Sequence, residues 1–338
     1  MSSPIIAIKP LGFPWETQDP FLFCVHHMDA YPKGNTNLGL DASLVGRNIG
    51  QDFVLKDGWR MYHGSKVPGF PAHPHRGFET VTIVQKGLID HSDSLGAAAR
   101  FGFGDVQWMT AGKGVQHAEM FPLIDQQNDN PLELFQIWLN LPRSGKFVEP
   151  YFSMQWNENI PIHKTYDAEN RKTTIKIVAG SFQGHKALAP PPDSWAANEE
   201  NDVAIWVIEM EPSATWTLPF SKSKINRSLY FFEGEGLIVA DQVIPSYRGM
   251  ELDHTQDILL KNGAKQSRLL LLQGKPINEP VVQHGPFVMN SEAEIRQTMI
   301  DYQKTQFGGW PWPSYEHVHP RERGRFARYV DGSEEIKN

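Results

Sequence analysis

The stretch "HPHRGFETVTIVQKG", from His73 to Gly87, places two histidines one residue apart at the entrance of a strand-like run. Its apolar and β-branched residues, closed by a glycine, favour a β-strand over a helix. Because side chains in a strand alternate between two faces, His73 and His75 point the same way, and Glu79 follows if the strand stays regular. Two imidazoles on one face form half of a metal site.

A second stretch, "GDVQWMTAGKGVQHAEMFP", places His117 and Glu119 two residues apart after a Gly-rich turn, again on one face if extended. Three imidazole nitrogens and one carboxylate oxygen suit a divalent first-row metal, with coordination positions left open. The alternative is that each pair is hydrogen-bonded packing, since imidazole fills half-buried positions well. The presence of two such pairs favours the metal site.

The rest of the chain predicts an all-β protein with two β-domains. Short apolar-alternating runs, separated by turn residues, extend from about Phe53 to Leu141 and again from about Thr173 to Gln273. The 28 Gly and 25 Pro residues also favour many turns between short elements. We expect one β-domain over residues 1–150, a second over 151–290, and a helix and tail over 291–338.

The helix is marked by Ser291 and Glu294, which form a capping box, and by Gly308, which stops it. The tail beyond it is rich in Pro, Trp and Arg, and we expect it to drape over a domain surface or to be loosely ordered at its end. It contains a further His-x-His pair, His317 and His319. We interpret this pair as solvent-exposed rather than metal-binding, since no carboxylate follows at matching spacing.

Composition limits the classes of function. The 32 basic and 39 acidic residues give a formal charge of −7, and no basic run favours direct nucleic-acid binding. Cys24 is the single cysteine, so an intramolecular disulfide is excluded and a reducing compartment is expected. No apolar run approaches the ~20 residues needed to span a membrane. The N-terminus lacks the pattern of a signal peptide. We therefore expect a cytoplasmic protein, or a nuclear one in a eukaryote.

The motifs resemble those of a known superfamily. The pattern G-x3-H-x-H-x3-E-x7-G, from Gly69 to Gly87, followed by G-x12-H, from Gly104 to His117, resembles the two-part motif of the cupins. The wording of both stretches, together with "DPFLF" near residue 19 and "GPFVMNSEAEI" near residue 285, closely resembles the pirin family of bicupins. The resemblance covers most of the chain and implies two antiparallel, jelly-roll type cupin barrels with a C-terminal helix and tail.

The resemblance implies one metal in the N-terminal barrel, bound by His73, His75, His117 and Glu119. Iron, as Fe(II) or Fe(III), is the expected metal, and other divalent first-row metals are open. The general cupin pattern instead offers Glu79 as the carboxylate ligand. Pirins favour the glutamate after the last histidine, so we expect Glu119 to be the ligand and Glu79 to fix the tautomer of an imidazole.

Other residues receive roles by their position. Arg76 and Lys113 adjoin the expected ligands and either neutralise charge at the pocket mouth or are solvated loop cations. The corresponding segment of the C-terminal barrel contains no histidine, so we expect a structural barrel without a metal. There Trp216, Phe220 and Tyr230 are expected in the core.

For an enzyme, the resemblance implies a quercetin 2,3-dioxygenase type of reaction, in which a flavonol ring is opened with O₂ and carbon monoxide is released. Glu119 is then the catalytic base that takes the proton of the substrate hydroxyl. Candidates for the walls of the substrate pocket are Phe78, Trp108, Met109 and Phe121, although each taken singly is more typical of a barrel core or of packing at a strand end.

The alternative is a metal-dependent regulator. Some pirins act as coregulators, so an iron-dependent redox sensor that binds a transcription factor or a metabolic enzyme is a second hypothesis. Oxidation of Fe(II) to Fe(III) adds one charge, which could reorder the loops that carry Arg76 and Lys113. A purely structural metal is a third. Pirins are commonly monomeric, so we expect a monomer, with a flavonol-like aromatic substrate and O₂ under the enzyme hypothesis.

Overall fold

The computed structural model describes residues 3–337 and is built mainly of β-strands. In chain order the first strands are β1 Ile5–Pro10, β2 Phe21–Tyr31, β3 Gly69–His75, β4 Phe78–Lys86, β5 Leu88–Asp93, β6 Ala98–Gly102, β7 Val106–Thr110, β8 Val115–Met120, β9 Asn130–Asn140 and β10 Tyr151–Gln155. They are followed by β11 Ile162–Tyr166, β12 Lys172–Ala179, β13 Ser181–Phe182, β14 His185–Lys186, β15 Ala204–Met210, β16 Thr215–Leu218, β17 Asn226–Glu233, β18 Leu237–Val239, β19 Gln242–Ile244, β20 Arg248–Leu252, β21 Ile258–Lys261, β22 Ser267–Gly274, β23 Val282–His284, β24 Phe287–Met289, β25 Arg325–Arg328 and β26 Glu334–Lys337.

Helical structure is sparse. Over residues 3–337 the one α-helix, α1, is Glu292–Thr305, and short 3-10 turns lie at Arg143–Gly145, Asn157–Asn159, Trp195–Ala197, Glu199–Asn201 and Gln306–Gly308. The helix begins as predicted, since the Ser291 hydroxyl accepts from the Glu294 N–H. Within the described chain, no helix combines the length and apolar character needed to cross a bilayer.

By contacts the chain divides into two compact units. The first unit comprises residues 26–136, 141–157 and 279–337. It contains a six-stranded sheet of order β26-β25-β6-β5-β8-β3, most of a five-stranded sheet of order β10-β7-β4-β9-β2, and the pair β23-β24. Side chains from these strands and from the loops between them form an apolar core that includes Tyr31, Trp59, Phe101, Phe121 and Leu134. This is the two-layer arrangement expected of a cupin barrel.

The second unit comprises residues 3–25, 137–140 and 158–278. Its sheets have the orders β1-β20-β17-β22-β15-β12-β11 and β16-β21-β18-β19, and antiparallel pairing predominates. Trp216 and Tyr230 are buried as predicted. The prediction for Phe220 was wrong: its side chain is 50% exposed because it lies beyond the end of β16.

The all-β fold class with two barrels is confirmed. The terminal segments, however, pair with strands outside the ranges predicted for them, which were 1–150, 151–290 and 291–338. β1 pairs with β20 of the second unit, and β25 pairs with β6 of the first unit. Both pairings join segments more than two hundred residues apart. Such partners leave no trace in a local hydrophobic pattern, which shows only that a strand is present.

The tail is anchored by a buried guanidinium, so residues 319–328 lie against the first unit rather than being loosely ordered. Arg100 is 1% exposed and donates to both carboxylate oxygens of Asp90, at 2.7 and 2.8 Å. It also donates to the carbonyls of His319, Pro320 and Arg323. Because a buried charge is costly unless its donors are satisfied, these carbonyls fix residues 319–323 in place. His319 is buried, not solvent-exposed as expected.

Buried histidines predict a fall in stability at acidic pH. Burial lowers the pKa of His27 to about 3 and that of His319 to about 4, against an ordinary value of 6.5. Below pH 6.5 the unfolded chain therefore binds more protons than the folded one. The stabilisation from these neutral histidines is present above pH 6.5 and is lost as the pH falls toward the pKa values of the folded state. We expect each residue to contribute a loss of roughly 2 kcal/mol by pH 5.

The measurement is urea denaturation of the metal-free protein at pH 7 and at pH 5. A His27→Asn variant should show a smaller difference between the two unfolding free energies, by about 2 kcal/mol. An exposed histidine, His284, offers the control substitution His284→Asn, which should leave the difference unchanged. An equal loss in all three proteins would show that His27 does not titrate in this way.

Candidate metal centre

Two neighbouring strands position the three predicted histidines. β3 is the edge strand of its sheet, where Pro71 and Pro74 cost no ladder hydrogen bond to a second neighbour. β8 is its partner, and His73 lies opposite His117 in the register. The Nε2 atoms of His73 and His75 are 3.1 Å apart, and the ligand nitrogens of all three histidines lie within 4.8 Å of one another. The predicted clustering of these imidazoles is thus observed.

The strand that carries the first pair ends earlier than predicted. A turn at Gly77, with φ of +87°, separates β3 from β4, and a Cβ at this position would lie 2.0 Å from the Val288 carbonyl oxygen. Glu79 therefore belongs to β4 rather than to the strand of His75. Its carboxylate accepts a hydrogen bond of 2.7 Å from the Thr110 hydroxyl. The continuous face expected from His73 to Glu79 does not exist.

Backbone carbonyls set the ring orientation of two histidines. The Nδ1 atom of His73 lies 2.9 Å from the Pro71 carbonyl oxygen, and that of His75 lies 3.4 Å from the Pro286 carbonyl oxygen. An N–H at Nδ1 leaves the lone pair on Nε2, which is the form that binds a metal. At these two rings the tautomer is therefore fixed by backbone carbonyls and not by Glu79, as had been expected.

Burial keeps these imidazoles neutral. It lowers the pKa of His73 to about 4 and those of His75 and His117 well below their ordinary value. Neutral imidazole is the ligating form, so the cluster is ready to bind a cation at neutral pH without first releasing protons.

His117 shows that the cluster fits a metal. Its side chain is fully buried, and neither ring nitrogen has a hydrogen-bond partner. An unsatisfied buried polar atom costs roughly 1–3 kcal/mol. A divalent cation between the three rings would accept the lone pair of Nε2 and remove that cost. The residues present therefore fit the metal that the cupin motif implies.

Glu119 lies beside this cluster but outside the tight set of nitrogens. Its Oε2 atom is 4.0 Å from Nε2 of His117, and its Oε1 atom accepts a hydrogen bond of 2.8 Å from the Thr82 hydroxyl. Burial raises the pKa of Glu119. A carboxyl whose pKa is raised is a stronger base than a carboxyl in water.

The Thr82 hydroxyl links Glu119 to Gln136. It lies 2.8 Å from Oε1 of Gln136 as well as 2.8 Å from Glu119, yet it has only one proton. When Glu119 is ionised, Thr82 donates to it. When Glu119 is protonated, Glu119 can donate to Thr82, which then donates to Gln136. The chain of three groups accommodates both protonation states of the carboxyl.

Arg76 does not lie at a pocket mouth as predicted. It is buried, its Nε donates to the Lys113 carbonyl at 2.6 Å, and its guanidinium donates to Asp301 of α1 at 2.8 Å. The guanidinium also lies 4.5 Å from the ring centroid of Phe307. Arg76 therefore ties α1 to the end of the strand that carries His75. Lys113, in contrast, is an exposed loop cation, in keeping with the alternative interpretation.

The residues predicted to line the substrate pocket are Phe78, Trp108, Met109 and Phe121, and all four are buried. Phe78 contacts the cluster directly, since its ring centroid is 5.0 Å from that of His75. Phe121 contacts Phe70, with ring centroids 6.0 Å apart. Trp108 and Met109 lie in β7, where burial in the barrel explains them.

His91 is a neighbour of the cluster that sequence reasoning missed. It lies on β5 opposite Glu119 in the register, and its ring centroid is 5.5 Å from that of His117. Its Nε2 is 3.3 Å from a carboxylate oxygen of Asp93. A lone histidine in the run "LIDHSD" carries no spacing signal. Only the pairing of β5 with β8 reveals its position.

Comparisons with known proteins agree with this geometry. The family model described as "Pirin" matches residues 35–139, and the one described as "Pirin C-terminal cupin domain" matches residues 205–308. A pirin-like protein of Solanum lycopersicum is 33% identical over 273 residues, which are 78% of this chain and 86% of that protein. A Pseudomonas aeruginosa protein, provisionally named a quercetin 2,3-dioxygenase, is 33% identical over 239 residues, covering 71% of this chain and 79% of that protein.

A solved structure extends the likeness to the whole fold. The crystal structure of a quercetin 2,3-dioxygenase from Acinetobacter baumannii superimposes with a TM-score of 0.69 and 25% identity, covering 91% of this chain and 96% of that one. The family matches span both cupin regions, and the relatives are matched over more than two thirds of their lengths. The chain is therefore a member of the pirin family.

Proposed function

We propose that this protein is a metal-dependent dioxygenase of the quercetin 2,3-dioxygenase type, which opens a flavonol ring with O₂ and releases carbon monoxide. The observation that carries the proposal is the buried carboxyl of Glu119, 4.0 Å from Nε2 of His117, in a cluster that fits a metal. The A. baumannii structure and the P. aeruginosa relative, through their names, support this choice of reaction.

His73, His75 and His117 would hold the metal, with Glu119 as the fourth ligand or as an unbound neighbour. Iron is the metal that we propose, and other divalent first-row ions suit the same donors. When bound, such an ion would act as a Lewis acid toward the 3-hydroxyl of the flavonol and supply the redox chemistry with O₂.

The side chains of the protein manage the proton. We propose that Glu119 takes the proton of the 3-hydroxyl, because a carboxyl of raised pKa is a base that can also return it. Thr82 and Gln136 stabilise the carboxyl in both states. We call the cluster of His73, His75 and His117 the histidine cradle. Phe78 and the burial of His75 and His117 keep water away from this side of the cradle. The proton returns to the ring-opened product, so Glu119 ends each turnover ionised.

The proposal is tested by aerobic turnover of quercetin with iron-loaded protein, following loss of quercetin absorbance together with release of carbon monoxide. Both signals should appear and should be absent from an iron-treated His75→Ala variant. Protein with iron confirmed bound that shows neither signal above the variant would overturn the proposal.

Removal of the Thr82 hydroxyl tests the proton chain. Thr82→Val keeps the shape of the side chain but deletes the donor to Glu119. A hydrogen bond to a charged group is worth roughly 1.5–3 kcal/mol, so its loss should raise the pKa of Glu119 and move the acidic limb of the kcat/KM profile up by roughly 1–2 pH units, with loss of turnover below that limb. Metal content should stay unchanged. Thr80→Val, on the same strand, is the matched control, and an equal loss in both variants would show only damage to β4.

A second candidate function is the redox-sensing regulator, and one observation favours it. Arg76 directly follows His75 and donates to Thr298 and Asp301 of α1. A change of charge at the cradle thus has a short covalent and hydrogen-bonded route to that helix. Hydrogen exchange of α1 should then differ between Fe(II) and Fe(III) protein. Identical exchange in the two states would remove this route.

A further inference from the structure

The open side of the histidine cradle is bordered by aromatic rings that the proposed chemistry does not use. His75 and His117 are buried, whereas His73 is half-buried, so the cradle approaches solvent on the His73 side. On that side lies Phe70, also half-buried, with its ring centroid 6.4 Å from that of His73. Phe70 therefore lies beside the histidine through which the cradle comes nearest to solvent.

Phe53 and His63 extend the row of rings outward. The centroid of Phe53 is 4.9 Å from that of His63 and 6.4 Å from that of Phe70. His63 and Phe70 are 5.8 Å apart. Phe53 is 38% exposed, and His63 is exposed as well. We call Phe53, His63 and Phe70 the aromatic wall. Exposed rings in mutual contact beside a buried reactive centre are typical of a surface that binds a flat ligand.

The loop that carries Phe53 is ordered by Arg47. The guanidinium lies 3.1 Å from the ring centroid of Trp59 and donates to the Asp52 carboxylate at 2.9 Å and to the Trp59 carbonyl at 3.0 Å. The same carboxylate accepts from the Met61 N–H. A loop held in this way loses little conformational entropy when a ligand binds, so the wall is pre-organised.

His63 adds one polar group to the wall. Its Nδ1 atom lies 2.7 Å from the Gly50 carbonyl oxygen, so in the neutral ring Nδ1 carries the proton and Nε2 keeps its lone pair. That lone pair can accept a hydrogen bond from a hydroxyl of a ligand. Aromatic faces with one acceptor at the outer end match a phenolic ring better than an aliphatic or an anionic group.

We propose that the aromatic wall binds the pendant hydroxyphenyl ring of the substrate while the reacting ring occupies the histidine cradle. This inference rests on the proposed function and adds the residues that select a flavonol by its pendant phenolic ring. Phe53 and Phe70 supply the contact area, and His63 selects for a hydroxyl. The wall thus determines specificity without touching the reacting atoms.

The test measures binding rather than turnover. Quercetin and 3-hydroxychromone, which has the reacting ring system without the pendant ring, are titrated under argon into metal-loaded wild type and Phe53→Ala. An aromatic pair is worth roughly 0.5–1.5 kcal/mol, so the Kd for quercetin should rise roughly 2- to 10-fold. The Kd for 3-hydroxychromone should not change. Phe103→Ala, at an exposed phenylalanine of the same unit, is the matched control and should change neither.

A second substitution tests the hydroxyl preference. His63→Phe keeps a ring but removes the acceptor, so the preference for quercetin over 3-hydroxyflavone, which has an unsubstituted pendant ring, should shrink. If Phe53→Ala does not fold, Phe53→Leu replaces it, with the same selective loss expected. An equal loss for quercetin and 3-hydroxychromone, or no loss, would overturn the inference.

Failure of the inference and failure of the proposed function are distinguishable. Selective loss of quercetin binding in Phe53→Ala, with no turnover in the wild type, would support the wall and reject the dioxygenase. Turnover in the wild type with an unchanged KM for quercetin in Phe53→Ala would support the dioxygenase and reject the wall.

Discussion

His117→Ala is expected to abolish metal binding. The imidazole of His117 faces His73 across the two strands, so its loss leaves two nitrogens on a single strand. Loss of a residue that merely orients a ligand typically costs roughly 10- to 100-fold in metal affinity, so loss of a ligand should cost at least about 100-fold. His117 is also the ring whose nitrogens have no other partner, so no hydrogen bond within the protein is sacrificed.

Metal content by mass spectrometry and affinity by competition with a chelator measure this effect. Thermal unfolding gives a second readout, because a bound metal raises Tm with its concentration in the wild type and should not do so in the variant. His284→Ala, at an exposed histidine outside the cluster, should bind metal normally. Full metal occupancy in His117→Ala would refute the assignment of the cradle.

Glu119→Gln is expected to lower kcat by roughly 10²- to 10⁴-fold, the usual contribution of a general base. The carboxamide has the shape of the carboxyl and can still accept from Thr82, but it cannot take up the substrate proton. If Glu119 acts mainly as the base, the metal should remain bound. If it is an indispensable ligand, metal and turnover will be lost together.

The comparison with Glu79→Gln decides between the two carboxylates. Glu79 accepts from Thr110, so we expect its substitution to change metal affinity and kcat much less than that of Glu119. Metal lost only from Glu79→Gln would assign the carboxylate ligand to Glu79, as in the general cupin pattern. Full turnover by iron-loaded Glu119→Gln would remove Glu119 as the base.

The sequence predicts the cradle well because its signal is local. The period of two in a strand brings His73 and His75 to one face, and the same rule applies to His117 and Glu119. What this rule could not show is the turn at Gly77, where the backbone lies so close to β24 that an added Cβ would be 2.0 Å from the Val288 carbonyl oxygen. Glu79 was misplaced for that reason.

Long-range pairing accounts for the other differences. His91 comes near the cluster through the pairing of β5 with β8, and His319 is buried because Asp90 and Arg100 lie beneath it. Neither partner lies within the window in which a hydrophobic pattern can be read. Arg76 likewise looks like a loop cation until α1 is placed against it.

The anchoring of Arg100 has a consequence for the order of events during synthesis. Domains usually mature in the order in which they leave the ribosome. Here the guanidinium needs carbonyls from residues 319–323, and β6 needs β25, so the unit that holds the histidine cradle cannot finish folding before these residues have been made. Until then the guanidinium would have Asp90 but would lack the carbonyls that satisfy its other donors. We expect the cradle to close only after residues 319–328 have left the ribosome, so that the metal is bound after this segment has been made.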